Sequence, residues 1–204
     1  MQQRIQDAID AVTDNYEAIA LGYALCNNGL MNVVARNRPL IIPRAHDCIT
    51  LFLGSHKRYM REFENEPGTY FKTSGWIERN DTPELAQISI HHKAGMDSTY
   101  EQLVEKYGAD NADFLFQTLV NNTQHYKRFA YIDMGIEPDD RWETQTRDEA
   151  KRRGWQFEKL VGDISLIQRL VDGDWDDDFL IVPPGSHIIP TNDNGVLAVA
   201  NGSV

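Results

Sequence analysis

Phe129-Ala130-Tyr131-Ile132-Asp133-Met134, Gln156-Phe157-Glu158-Lys159-Leu160 and Phe179-Leu180-Ile181-Val182 are three short runs with strand character. Two stretches of helical spacing separate them. Trp142–Arg153 is closed by Gly154, and Ile164–Val171 is closed by Gly173. Glycine just past the last helical residue is the usual stop, because it adopts the left-handed conformation without penalty. The order β-α-β-α-β is the unit of a parallel sheet with right-handed crossovers, so this stretch decides for an α/β fold.

Working outward, residues 2–13 carry Ile5, Ala8, Ile9 and Val12 at helical spacing, and Asp14-Asn15 stop that helix. Ala18–Leu21 and Pro39–Ile42 read as buried strands, with a short helix over 30–36 between them. Asp47 is placed to cap a helix from Cys48 to about residue 63, interrupted at Gly54. Residues 66–78 are rich in Gly and aromatics and read as a loop or short hairpin, and helices are expected around 83–92, 98–107 and 110–127. The expectation is one α/β domain over 1–204, with a mostly parallel sheet in two Rossmann-like halves. Residues 1–54 form the first half, 55–127 a helical and loop insertion, 128–188 the second half and 189–204 a tail. No repeat of fixed period is present.

A chain of 204 residues suits one sizeable core. Its net charge of −11, from 20 basic and 31 acidic residues, argues against a nucleic-acid partner, which needs phosphates neutralised. The run Asp172-Gly173-Asp174-Trp175-Asp176-Asp177-Asp178 reads as a solvated acidic loop. No apolar run approaches the ~20 residues of a membrane span. The N-terminus lacks the apolar centre of a signal peptide, so a cytoplasmic protein without membrane association is expected. Two cysteines make no disulfide framework.

In open α/β sheets, ligands bind where strands end. The strand ends here carry Cys26 and Asn27, then His46, Asp47 and Cys48, then Asp133, Met134 and Asp163, and finally Ser186 and His187. No G-x-G-x-x-G follows a strand and no Walker-type Gly-Lys-Ser/Thr occurs, which argues against the standard NAD and ATP sites. Thiolate with imidazole suits zinc or iron, so Cys26, His46 and Cys48 are candidate ligands of a transition metal or metallocofactor. His187 is the candidate further ligand, with Glu78, His91 and His92 as others. Arg44 is placed to neutralise an anionic ligand, and Tyr70 and Trp76 to cover a planar one.

Each assignment has a plainer counterpart. Cysteine is among the most buried residue types, so both thiols can be packing residues, with His46 bonded to a carbonyl and Asp47 a helix cap. His187 can be a surface histidine and the aromatics core anchors. A metal-free thiol nucleophile for transfer or hydrolysis is the second chemical reading. It expects a depressed Cys48 pKa at the helix start, helped by His46 and opposed by Asp47, with Cys26–His46 the better-placed pair. A non-catalytic accessory protein is the third.

Ala20-Leu21-Gly22-Tyr23-Ala24-Leu25-Cys26-Asn27-Asn28-Gly29-Leu30 and Ile42-Pro43-Arg44-Ala45-His46-Asp47-Cys48-Ile49-Thr50-Leu51-Phe52-Leu53-Gly54-Ser55 resemble the domain of unknown function 1638 family. So do Pro67-Gly68-Thr69-Tyr70, Gly75-Trp76-Ile77-Glu78, Gly173-Asp174-Trp175 and Phe179–Gly185, over about residues 5–188. The resemblance implies no catalytic residues. By genetic association in anaerobes it implies one-carbon or corrinoid metabolism, with a small molecule and a corrinoid protein or methyltransferase as partners. Members of that family usually begin with a further strand and helix carrying another cysteine, before the helix at 2–13. The expectation is that such a strand would add a ligand, and that a form without it exposes a sheet edge that favours homo-oligomers.

Overall fold

The computed structural model describes residues 1–26, 28–81, 103–105, 108–109, 111–113 and 125–202, with backbone only for 79–81. Asn27, His91, His92 and most of the helices expected between 83 and 124 lie outside these residues. The chain divides into two compact units. Met1–Glu62 with Gly162–Val204 form a terminal unit, and Phe63–Val161 form a middle unit.

The terminal unit holds α1 (Gln2–Asp10), β1 (Ile19–Ala20), β2 (Leu40–Pro43), α2 (Cys48–Phe52) and the start of α3 (His56–Asn65). β2 is flanked by β1, in parallel, and by a later strand, Phe179–Val182, in antiparallel register with Pro43 opposite Phe179. All four residues of β2 are buried, as a central strand covered on both faces requires. The two-residue period of a strand sorts its side chains. Leu40 and Ile42 face a core with Ile5 and Ile9 of α1, whereas Ile41 packs with Leu51, Leu166 and Leu170 on the other side.

The middle unit carries the parallel sheet. β3 (Thr69–Lys72), β4 (Arg128–Asp133) and β5 (Gln156–Val161) pair in that order, all in parallel. α4 (Ser74–Asp81) follows β3, and α5 (Arg141–Arg153) links β4 to β5 and ends on Gly154 at φ +68°. The terminal unit resumes with α6 (Ser165–Asp172), closed by Gly173 at φ +81°, β6 (Phe179–Val182), β7 (Ser186–Pro190) and β8 (Leu197–Asn201).

The architecture is mixed α/β, and three expectations need correction. The β-α-β-α-β unit does not share one sheet: β6 leaves β4 and β5 and pairs antiparallel with β2, where Leu180 and Val182 complete the apolar face of Leu40 and Ile42. Residues 66–78 form a strand and a helix start instead of a hairpin, because Thr69–Lys72 finds a parallel partner in Arg128–Tyr131. Residues 30–36 form no helix. Asn28 and Asn32 both sit at φ +62°, and the backbone then bonds to β7 through Asn32 N–H to Ile188 O (2.8 Å) and Ala35 N–H to Ser186 O (2.9 Å). The tail contributes β8, antiparallel to β7. Among the described residues no helix is long and apolar enough to cross a membrane.

Candidate functional site

β1 and β2 pair over Ile19–Ala20 and Leu40–Ile41, and further backbone hydrogen bonds hold the segments that follow them together. Leu21 N–H donates to Ile41 O at 2.8 Å, and after three residues Leu25 N–H reaches Ala45 O and Cys26 N–H reaches His46 O, each at 2.9 Å. These bonds lay Cys26 alongside His46-Asp47-Cys48. Cys26 pays for its place with φ +40°, a left-handed conformation that a side chain normally avoids. Asp47 caps α2 as its position suggests, its Oδ1 accepting from Ile49 N–H (3.0 Å) and Thr50 N–H (3.4 Å), and Cys48 opens the helix. Both cysteines are free and half-buried, and His46 is exposed at the rim.

The electrostatics of the thiols run opposite to the nucleophile reading. Burial, then the Asp47 carboxylate, then Cys26 push the Cys48 thiol up to about 11. Burial and Asp47 also raise the Cys26 thiol, and the Cys48 backbone N–H, which eases both sulfurs, only partly offsets this. Burial raises Asp47 as well, against the two amides that it caps. The expected depression of Cys48 fails because α2 has only five residues, too few for a strong dipole, while an anion stands next in the chain.

The structure adds a residue that the sequence reading passed over. His56, the first residue of α3, places its ring 5.8 Å from that of His46, tilted by 47°, and 6.5 Å from that of Tyr59. Both of its ring nitrogens are shielded from solvent and have no hydrogen-bond partner among the described residues. Burial, then the neighbouring His46, lower its pKa, against a smaller pull from Asp178. The signal was present: α2 is so short that a histidine just past Gly54-Ser55 returns towards the strand end where His46 sits.

Other candidates fall elsewhere. Arg44 donates Nη1 to Gly195 O (2.9 Å) and Leu197 O (2.5 Å), which ties its guanidinium to the β7–β8 connection. His187 lies on β7 opposite Ala200, with Nδ1 3.1 Å from Gly202 O, and bridges to Val34. Tyr70 and Trp76 belong to the middle unit. Tyr70 packs edge-on against Tyr126 and Phe129, at 5.3 and 5.6 Å, as a core anchor does. Trp76 is half-buried in the first turn of α4, and Glu78 is exposed. Asp133 is paired with Lys159 at 2.7 Å. Among the described residues no group of three or more His, Cys, Asp or Glu side chains is arranged to hold a metal ion.

A family model described as "Protein of unknown function (DUF1638)" matches residues 1–171. The chain belongs to this family. The match spans the Cys26 and His46–Cys48 loops, His56, and the whole middle unit. No curated protein and no solved structure matches the chain. The DUF1638 description carries no activity, so the site's chemistry rests on its residues.

Proposed function

We propose that this DUF1638 chain binds a thiophilic transition-metal ion or a metal-containing cofactor through Cys26 and Cys48, with His46 beside them. The observation that supports this is the pair of backbone bonds Leu25–Ala45 and Cys26–His46, which bring together the loops that carry the chain's two cysteines. Protonated thiols beside a carboxylate are poor nucleophiles. A cation reverses that balance, because its charge favours both thiolates and is itself favoured by Asp47. Soft sulfur donors with imidazole select zinc, iron or a comparable ion. In the one-carbon setting that the resemblance implies, such a centre would handle a small molecule or serve a corrinoid-protein partner.

The test is metal analysis of protein purified without oxygen and then loaded with zinc or cobalt(II). About one ion per chain, with sulfur-to-cobalt charge-transfer absorption that Cys26→Ser and Cys48→Ser each abolish, is the expected result. No bound ion after loading, or binding indifferent to both substitutions, overturns the proposal.

A further inference from the structure

We infer that the terminal unit binds a small zwitterion, an amino acid with an apolar side chain, in a cavity between the end of α1 and the starts of β1 and β2. Ile19 opens β1 and Arg38 stands two residues before β2, and both line this cavity. The cysteine loops follow the ends of the same two strands, so this site is separate from theirs and independent of the metal-binding reading.

The cavity has a volume of about 380 Å³. Small-molecule sites usually enclose roughly 300–1,000 Å³. Ile9 and Val12, from the end of α1 and the turn after it, join Ile19 as its apolar wall. Ile9 and Ile19 belong to the core of the unit, which makes that wall firm.

Four charged side chains stand on the same cavity, Asp10, Asp14, Arg36 and Arg38. Two of them cancel. Arg36 donates Nε and Nη2 to the two carboxylate oxygens of Asp10, at 2.8 and 2.9 Å, in a closed bidentate pair. Asp14 and Arg38 are left over. The Asp14 carboxylate accepts the Tyr16 hydroxyl at 3.2 Å. Arg38 donates Nη2 to Asn15 Oδ1 (2.5 Å) and Nη1 to Asn37 O (3.0 Å), both neutral acceptors. Its Nε is shielded from solvent and has no partner among the described residues. A guanidinium carries five N–H donors, and only two are used here. Among the described residues neither Asp14 nor Arg38 has an ion-pair partner, although they share one cavity.

Opposite charges that line one cavity without meeting call for a ligand that carries both. A carboxylate suits the planar fork of Arg38, and an ammonium suits Asp14. The last turn of α1 lines the cavity too, and the partial negative charge of its carbonyls favours the same ammonium. A simple anion such as phosphate would meet Asp14 uncompensated, and a simple amine would meet Arg38. The apolar wall takes the ligand's side chain.

The test is a thermal-shift screen of the full chain with L-valine, L-leucine, L-isoleucine, L-methionine and L-phenylalanine, each at about 10 mM. At least one should raise the melting temperature. In calorimetry its des-amino acid and its decarboxylated amine should each bind at least about tenfold more weakly, because each forfeits one charge-assisted bond. This comparison uses the wild type alone and is independent of any variant's folding. Arg38→Gln and Asp14→Asn should each weaken the amino acid by a similar factor. No response to any of the five overturns the inference, as does binding indifferent to both substitutions. A des-amino acid or inorganic phosphate that binds as tightly as the amino acid also overturns it, since the site would then be one for simple anions.

Discussion

The amide of Cys26 donates to the carbonyl of His46 at 2.9 Å although Cys26 itself stands at φ +40°. A left-handed non-glycine residue costs on the order of 1–3 kcal/mol and persists only where its surroundings fix it. Here the fixing comes from the Leu25–Ala45 and Cys26–His46 backbone bonds on one side and the capped start of α2 on the other. The outcome is a thiol presented to His46, Asp47 and Cys48 by backbone bonds, in a manner largely independent of the side chains. Substitutions at these side chains should therefore change the chemistry of the site more than its shape.

Asp47 offers the clearest case. Asparagine caps a helix about as well as aspartate, so Asp47→Asn should leave the denaturation midpoint nearly unchanged. It removes the anion that raises both thiols. Alkylation of Cys48 by iodoacetamide should be slow in the wild type and climb about tenfold per pH unit towards its pKa. In Asp47→Asn the same reaction at neutral to mildly alkaline pH should run several-fold faster, with sites assigned by peptide mass. Equal rates in the two proteins would mean that burial alone sets the thiol.

Gly54 and Gly154 test space against conformation. Both have positive φ, +78° and +68°. A Cβ at Gly54 would stand 2.5 Å from Asp163 Cγ and 2.8 Å from its Cβ, whereas a Cβ at Gly154 meets nothing within 4 Å. Gly154→Ala should cost about 1 kcal/mol, from backbone strain alone. Gly54→Ala should cost roughly 1–3 kcal/mol more, because the Asp163 backbone is itself pinned by its N–H to Phe52 O at 2.8 Å. Urea denaturation ranks the two, and equal costs would show that Asp163 yields.

What could be read in the sequence follows from locality. The Asp47 cap, the Gly154 and Gly173 stops and the strands around Ile41 and Ile132 are set by short-range chemistry, and they stand where periodicity puts them. Partner choice is a long-range matter. Phe179–Val182 has the same apolar run whether it joins β5 or β2, and only the complementary faces of Leu40 and Ile42 decide. The same limit hid His56, whose meaning depends on the ring of His46 and on the absence of hydrogen-bond partners among the described residues. Arg44 looked like an anion site because its carbonyl partners lie in the tail.

That role of Arg44 is itself testable. Arg44→Ala removes the Nη1 bonds to Gly195 O and Leu197 O. Hydrogen bonds from a charged donor contribute about 1.5–3 kcal/mol when buried, and this one is half-exposed, so a loss of about 1–2 kcal/mol is expected. Amide exchange in β7 and β8 should accelerate. Metal loading should be unaffected if the guanidinium serves the β7–β8 connection alone, and a weakened metal site would return Arg44 to the list of binding residues.

The middle unit carries its own acid sensitivity. Glu149 accepts from Lys72 Nζ at 2.5 Å and from Arg153 Nε at 2.9 Å. Burial works to raise its pKa, but the two cations outweigh burial and hold it below the usual carboxylate value. A carboxylate depressed in the folded state contributes stability above its unfolded pKa of about 4.3, and loses it as pH falls through the lower folded value. Glu149→Gln should therefore destabilise the protein at neutral pH by roughly 1–3 kcal/mol, since it leaves the largely buried Lys72 ammonium unpaired. The wild-type and Glu149→Gln stability curves should converge as pH falls through the depressed folded value, where both come to carry a neutral side chain at this position. A gap that stays constant from neutral to acid pH would assign the loss to packing instead of to the Lys72–Glu149 pair.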